Sequence, residues 1–346
     1  MASCLALKDY AAVVGKTALT DWALQLDTVP VAPSLVTQGG QLRQFNRLAD
    51  IDASLPLASR LVAMLEKLRA QLSVLPDAAP VLLVLPEQLG SEQALAGFIF
   101  TLQQEFPALL SHSACQLFPY GRSAALMALT AARQLLTAGE PVVWIIALDS
   151  PVAALSAIEP AVEPAIKPVV SKTLQSETVS AETVSVESAE DKNSGQVVWS
   201  EGAVAVALQH SDSGLYCHYL AADATVSNAA EELAIAQLFA AVAANTKRPL
   251  ERLYLADNGS SALTACWQPH YQRLAPVIAE ATQLSFPAYT TGELGAAGGL
   301  YRFLHLYLGY INACHSGLTL QCEISERLYR AVAVFSWQQA GSISEF

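Results

Sequence analysis

Two stretches of this chain are helical in pattern yet apolar on nearly every face, and each opens on a glycine turn. The first, GRSAALMALTAARQLL, runs from Gly121, and the second, GELGAAGGLYRFLHLYLGYI, from Gly292. A helix with no polar face must be covered on all sides. Each is followed by a turn and two apolar strand runs: PVVWIIALDSP and EGAVAVAL after the first, GLTLQCEIS and RAVAVFSW after the second. The same unit therefore occurs twice. That duplication suits an architecture in which both helices lie between two sheets. Ala296, Ala297, Gly298 and Gly299 would let the second helix approach a neighbouring backbone closely.

The remaining segments alternate strand and helix, which predicts parallel or mixed sheets covered by helices. A helical pattern from Ser59 precedes the short buried strand PVLLVLPE from Pro80. In the second half, LYCHYLAADAT from Leu215 leads into the helical NAAEELAIAQLFAAVAANT from Asn228 and the strand-like LERLYLAD from Leu250. This divides the chain into an N-terminal half, 1–210, and a C-terminal half, 211–340. One stretch, 156–196, belongs to neither. It is rich in Pro, Ser, Thr, Val and Glu, lacks aromatic residues and repeats SETVSAETVSVES. It cannot bury enough surface to offset its ordering entropy, so it is expected to be a mobile acidic insertion. The closing GSISEF, 341–346, reads as a cloning remnant.

Composition closes off several functions. With 53% hydrophobic and only 14% charged residues, much of the chain must be buried on more than one side. No apolar run reaches the length of a membrane span, since Pro141 to Ile158 is broken by Asp149, Ser150 and Pro151. The start, MASCLALKDYAAVVGK, has neither a basic leader nor a long apolar stretch. A soluble, cytoplasmic protein without a membrane partner is expected. A net charge of -12 opposes nucleic-acid binding, which needs Lys and Arg against phosphate. The six cysteines contain no CxxC pair and no Cys/His cluster with ligand spacing, so no metal site or cofactor is expected. GELGAAGG lacks both GxGxxG and a P-loop lysine, and helix packing accounts for its glycines.

Four segments, in order, resemble the β-ketoacyl synthase branch of the thiolase fold. Gly121 to Leu129 resembles the turn and buried helix that carry the nucleophilic cysteine. Glu201 to Ala205 resembles the strand closing the first half. Ala256 to Ser260 resembles the loop of the first catalytic histidine, and Gly292 to Gly298 that of the second. The resemblance covers roughly Ala11 to Trp337 without the insertion. It implies an α/β thiolase-like fold of duplicated βαβαβαββ halves in a five-layer αβαβα arrangement, and a dimer joined at a sheet edge.

Matched position by position, the cysteine falls at Arg122, the first histidine at Asn258 and the second at Glu293. All three differ from the family's residues. Family chemistry uses a thiolate favoured by a helix N-terminus and two histidines that stabilise developing negative charge. A guanidinium cannot attack a thioester, because it stays protonated. It is also a cation at the positive end of a helix, so an Arg122–Glu293 pair filling the former active site is expected. Gly121, Ser123, Asp257 and Gly292 are the candidate pocket-lining residues. Cys115 precedes the turn and reads as a structural thiol; Ser123 has no histidine placed to activate it in the matched motifs. His305, inside the second apolar helix, reads as a core histidine.

The expected function is a non-catalytic ketosynthase-like protein that binds another protein, either as a homodimer or as a heterodimer with a thiolase-like paralogue. A divergent acyl-thioester enzyme and an acyl-chain or acyl-carrier-binding subunit are the alternatives. Gly-Arg-Ser-Ala and Gly-Glu-x-Gly-Ala-Ala also resemble segments of short, degenerate ketosynthase-like proteins that accompany type VI secretion spike and effector proteins. That resemblance implies an adaptor or chaperone role for a secreted effector.

Overall fold

A computed structural model describes residues 4–15, 17, 19–24, 33–38, 41–52, 54–73, 76, 78–151, 159–160, 197–224 and 228–340. Apart from Glu159–Pro160, the expected mobile insertion lies outside the described residues, as does 341–346.

Ten strands form one large sheet. In chain order they are β1 (Cys4–Val14), β2 (Val81–Val84), β3 (Gln116–Phe118), β4 (Val143–Asp149), β5 (Gly202–Ser211), β6 (Gly214–Ala224), β7 (Leu250–Tyr254), β8 (Ile278–Ser285), β9 (Leu318–Ile324) and β10 (Tyr329–Gln338). Across the sheet the order is β8-β7-β9-β10-β6-β1-β5-β4-β2-β3. Within each half the strands thus stand third, second, fourth, fifth, first. Directions repeat as well. β2 runs parallel to β3 and β4, and β7 runs parallel to β8 and β9. The fifth strand of each half is antiparallel to both its neighbours. The halves touch edge to edge through β1 and β6 at Leu5 and Leu215, so the two expected sheets are continuous.

The main helices are α1 (Leu57–Arg69), α2 (Glu92–Glu105), α3 (Ala124–Thr137), α4 (Asn228–Asn245), α5 (Ser261–Trp267) and α6 (Ala296–Ile311). α3 and α6 are the two all-apolar helices. α3 touches β2 and β4 of its own half and β6 and β10 of the other, while α6 touches β4 and β5 across the middle. They are the central layer. On β4, Val143, Ile145 and Ala147 face this layer, whereas Trp144, Ile146 and Leu148 face an outer core with α1 and α2. The same alternation on β10 sends Ala331, Ala333 and Phe335 inward and Val332 and Val334 to an outer core with α4. Both faces of these strands are buried, which explains their near-continuous apolar sequence. Helix, sheet, helix pair, sheet and helix make five layers, the thiolase-like α/β architecture.

A second, four-stranded sheet lies beside this body. Ser34–Gln38 pairs antiparallel with Gln41–Asn46, and the latter runs parallel to Val198–Ser200. Glu159–Pro160 supplies the remaining strand.

Candidate functional site

The tip of α3 is built by a turn whose first residue, Gly121, has φ +68. That left-handed geometry suits glycine, and a Cβ there would come within 3.0 Å of the Glu87 side chain. The turn is anchored by Gly121 N, which donates to Leu85 O at 3.1 Å. It delivers Arg122 into the interior, where only 5% of the residue is exposed.

Arg122 Nε donates to Glu293 Oε1 at 3.0 Å, and Nη1 reaches Ile324 O at 3.5 Å. On the outer side Nη2 lies 3.7 Å from Glu326 Oε1. Glu293 Oε1 also accepts from Gly295 N at 2.8 Å, and its Oε2 accepts from Asn258 Nδ2 at 2.9 Å. Asn258 Oδ1 accepts in turn from Ser260 N at 3.0 Å. Three residues far apart in sequence, Arg122, Asn258 and Glu293, therefore form one buried network. Burial alone would push the Glu293 carboxyl up, but Arg122 and Arg302 outweigh it and hold it below the usual carboxylate range. Burial likewise opposes the Arg122 charge, and Glu293 together with Glu326 more than restores it.

The backbone fixes Glu293 from both sides. Its N–H donates to Val198 O at 2.7 Å, and its carbonyl accepts from Ser200 N at 2.8 Å. Gly292, at φ +79, lies so close to this strand that a Cβ would stand 2.9 Å from Val198 O. Two carboxylates cap α6: Glu293 takes Gly295 N, and Asp149 Oδ2 takes Ala296 N at 2.6 Å. Burial pushes the Asp149 carboxyl up to about 7, against the pull of the Ala296 N–H.

The candidate lining residues are packed and paired. Ser123 is fully buried, and its Oγ lies 2.9 Å from both Glu323 O and Tyr329 O. Ser123 N, at the helix tip where an anion would be held, donates to Ser325 Oγ at 2.9 Å. Asp257 accepts from Gly259 N, Thr264 Oγ1 and Tyr289 Oη, closing its own loop. Cys115 is at the far end of β3 and accepts from Val81 N. His305 Nδ1 and His315 Nε2 both lie 2.7 Å from Tyr254 Oη. Burial lowers the His305 pKa to about 4, so the ring is neutral at pH 7. Among the described residues no group of three or more His, Cys, Asp or Glu could hold a metal ion, and no helix is long and apolar enough to cross a membrane.

Sequence reasoning missed several members of this neighbourhood. Arg302 on α6 pairs with Glu323 through Nε–Oε1 at 2.7 Å and through a second, Nη2–Oε2 contact. Arg60 on α1 pairs with Glu201, which also accepts from Ser150 Oγ at 2.7 Å and Leu48 N at 2.9 Å. The signal for both was a lone arginine on an apolar helix face, since a buried charge needs a partner. Ser325 and Glu326 carry no comparable signal, because they sit in the exposed-looking turn SERLY.

The five layers and the repeated strand order define the class as thiolase-like. Similarity to solved structures narrows this to the ketosynthase type of that fold. The ishigamide ketosynthase/chain length factor superposes with a TM-score of 0.60 at 14% identity, over 97% of this chain and 100% of that one. A type II polyketide synthase ketosynthase, AntDE, in complex with its acyl-carrier protein AntF, gives 0.55 at 12% identity, over 97% and 99%. The oxazolomycin ketosynthase domain OzmH KS7 of Streptomyces albus JA3453 gives 0.59 at 10% identity, over 99% and 75%. No protein-family model and no curated protein matches the sequence.

Proposed function

We propose that this chain is a non-catalytic ketosynthase-like protein that acts by binding a protein partner, as one member of a pair of thiolase-fold chains. The observation that carries this is the Arg122–Glu293–Asn258 network. A guanidinium, a carboxylate and an amide satisfy one another in the place where ketosynthases need a thiol and two imidazoles. The helix-tip amide of Ser123, which could have stabilised an oxyanion, is taken by Ser325 Oγ. No cysteine stands at the α3 tip, and burial pushes the Cys217 thiol up to about 11, away from reactivity. Similar structures include a ketosynthase/chain length factor and a ketosynthase in complex with its acyl-carrier protein, which supports a protein partner for this chain. Within this reading the partner is a second copy or a thiolase-like paralogue, and a secreted effector is the cargo that an adaptor role would add.

Two measurements test the proposal together. Light scattering on the purified chain, alone and mixed with its co-purifying protein, should give a dimer. Intact mass after incubation with acyl-CoA should stay unchanged. A monomer that binds nothing removes the partner role, and acylation of any one cysteine removes the non-catalytic one.

A further inference from the structure

The first half carries a cleft of about 220 Å³ on its outer face, at the C-terminal ends of α1 and α2. Strand alternation separates it from the Arg122 network. Ile146, which lines the cleft, points to the outer core, while its neighbours Ile145 and Ala147 point to the central layer. The floor is apolar and buried, formed by Leu65, Leu109 and Ile146. Half-buried Leu72 and Phe106 wall it. The rim carries two exposed charges of opposite sign, Arg69 and Glu105. The Arg69 guanidinium sits 5.4 Å from the Phe106 ring centroid, a cation–π contact that orients it. Neither rim charge has an ion pair or side-chain hydrogen bond with another described residue.

From these features we infer that the cleft is a binding site for a free apolar α-amino acid of leucine or phenylalanine size. An apolar pocket with a few placed polar groups is the usual form of a small-molecule site. A simple carboxylic acid would suit Arg69 but meet repulsion from Glu105, and an amine the reverse. An α-amino acid carries both charges on one carbon, with its side chain leaving between them. The volume fits as well, since an apolar cavity of about 150 Å³ accepts benzene. The floor has no hydrogen-bonding side chain, so polar amino acids are excluded by the loss of their hydration. Because the rim charges are exposed, each adds little to the affinity.

Saturation-transfer NMR on the full chain, with thermal shift as a second readout, tests this. Leucine and phenylalanine should bind and glycine should not. Leucinamide and N-acetyl-leucine, each lacking one charge, should bind up to about fivefold more weakly, the limit set by one exposed ion pair. Arg69→Gln should abolish the difference between leucine and leucinamide, and Glu105→Gln the difference between leucine and N-acetyl-leucine. Leu72→Trp, which fills the cleft, should remove binding altogether. The inference is overturned by the absence of any leucine signal, or by undiminished binding to Leu72→Trp. N-acetyl-leucinamide binding as tightly as leucine also overturns it, because the cleft would then be an anchor for a protein side chain.

Discussion

Replacing Glu293 by leucine tests whether the buried network holds the protein together. The carboxylate is 2% exposed and accepts from Arg122, Asn258 and Gly295. Its loss strands a guanidinium that is itself only 5% exposed. Breaking one side of a buried pair costs about 3–5 kcal/mol. Arg122 retains the Ile324 carbonyl at 3.5 Å and Glu326 at 3.7 Å, which places Glu293→Leu toward the lower end, about 3 kcal/mol. Arg122→Met should cost somewhat less, because Glu293 keeps two hydrogen bonds and the nearby charge of Arg302. In the double variant neither charge is stranded, but Asn258 Nδ2 and Gly295 N still lose their acceptor, so it should cost about 3 kcal/mol, less than the two single losses added together. A coupling energy of about 2 kcal/mol is therefore expected across the cycle. Urea unfolding followed by tryptophan fluorescence gives it, provided the transition slope is the same for all four proteins. Single-variant losses that add to within about 0.5 kcal/mol would refute the reasoning.

Asp149 provides a pH test. Its folded pKa of about 7 lies above the ordinary carboxylate value of 3.8, so the folded state holds a proton that the unfolded state has released between those values. Stability should therefore fall as pH rises from about 4 to about 7, and Asp149→Asn should gain on the native protein at pH 8 but not at pH 4.5, read as the difference in Tm. Gly295→Ala should destabilise severely, since the backbone is at φ +55 and an added Cβ would stand 2.0 Å from Asp149 Oδ2. A midpoint no lower than that of an ordinary surface variant would contradict this placement. Ser325→Ala leaves the buried Ser123 N–H without an acceptor and should cost about 1–3 kcal/mol, measured by the same urea titration.

The central layer was legible because its physics is local. α3 and α6 have no polar face, and each is followed by strands that no solvent-facing sheet would tolerate. The strand order was not legible from pattern, since nothing in VVWIIAL or RAVAVFSW says which neighbour it takes; the family resemblance supplied the element sequence and the layers, and the order across the sheet came from the structure. The hairpin Ser34–Gln38 and Gln41–Asn46 had a signal in the Gly-Gly between its strands, but its polar alternation is weak. Arg122, Asn258 and Glu293 could be brought together only by analogy, because contacts spanning 171 and 35 residues leave no periodic trace. Arg60 lies in register with Met64 and Leu68 on a buried helix face, and that register was itself the evidence for a hidden acidic partner.

The partners of the α3 tip tie the two halves together through the interior. Arg122 and Ser123 belong to the first half, yet Glu293, Ile324, Ser325 and Tyr329, which receive them, all belong to the second. Asp149, at the end of β4, reaches across in the same way to the first amide of α6. By contrast β1 and β6 join the halves edge to edge at a single residue pair, Leu5 and Leu215. The polar groups are spent on each other, and the interior between the halves works as a polar seam. Opening the seam would strand several buried charges at once.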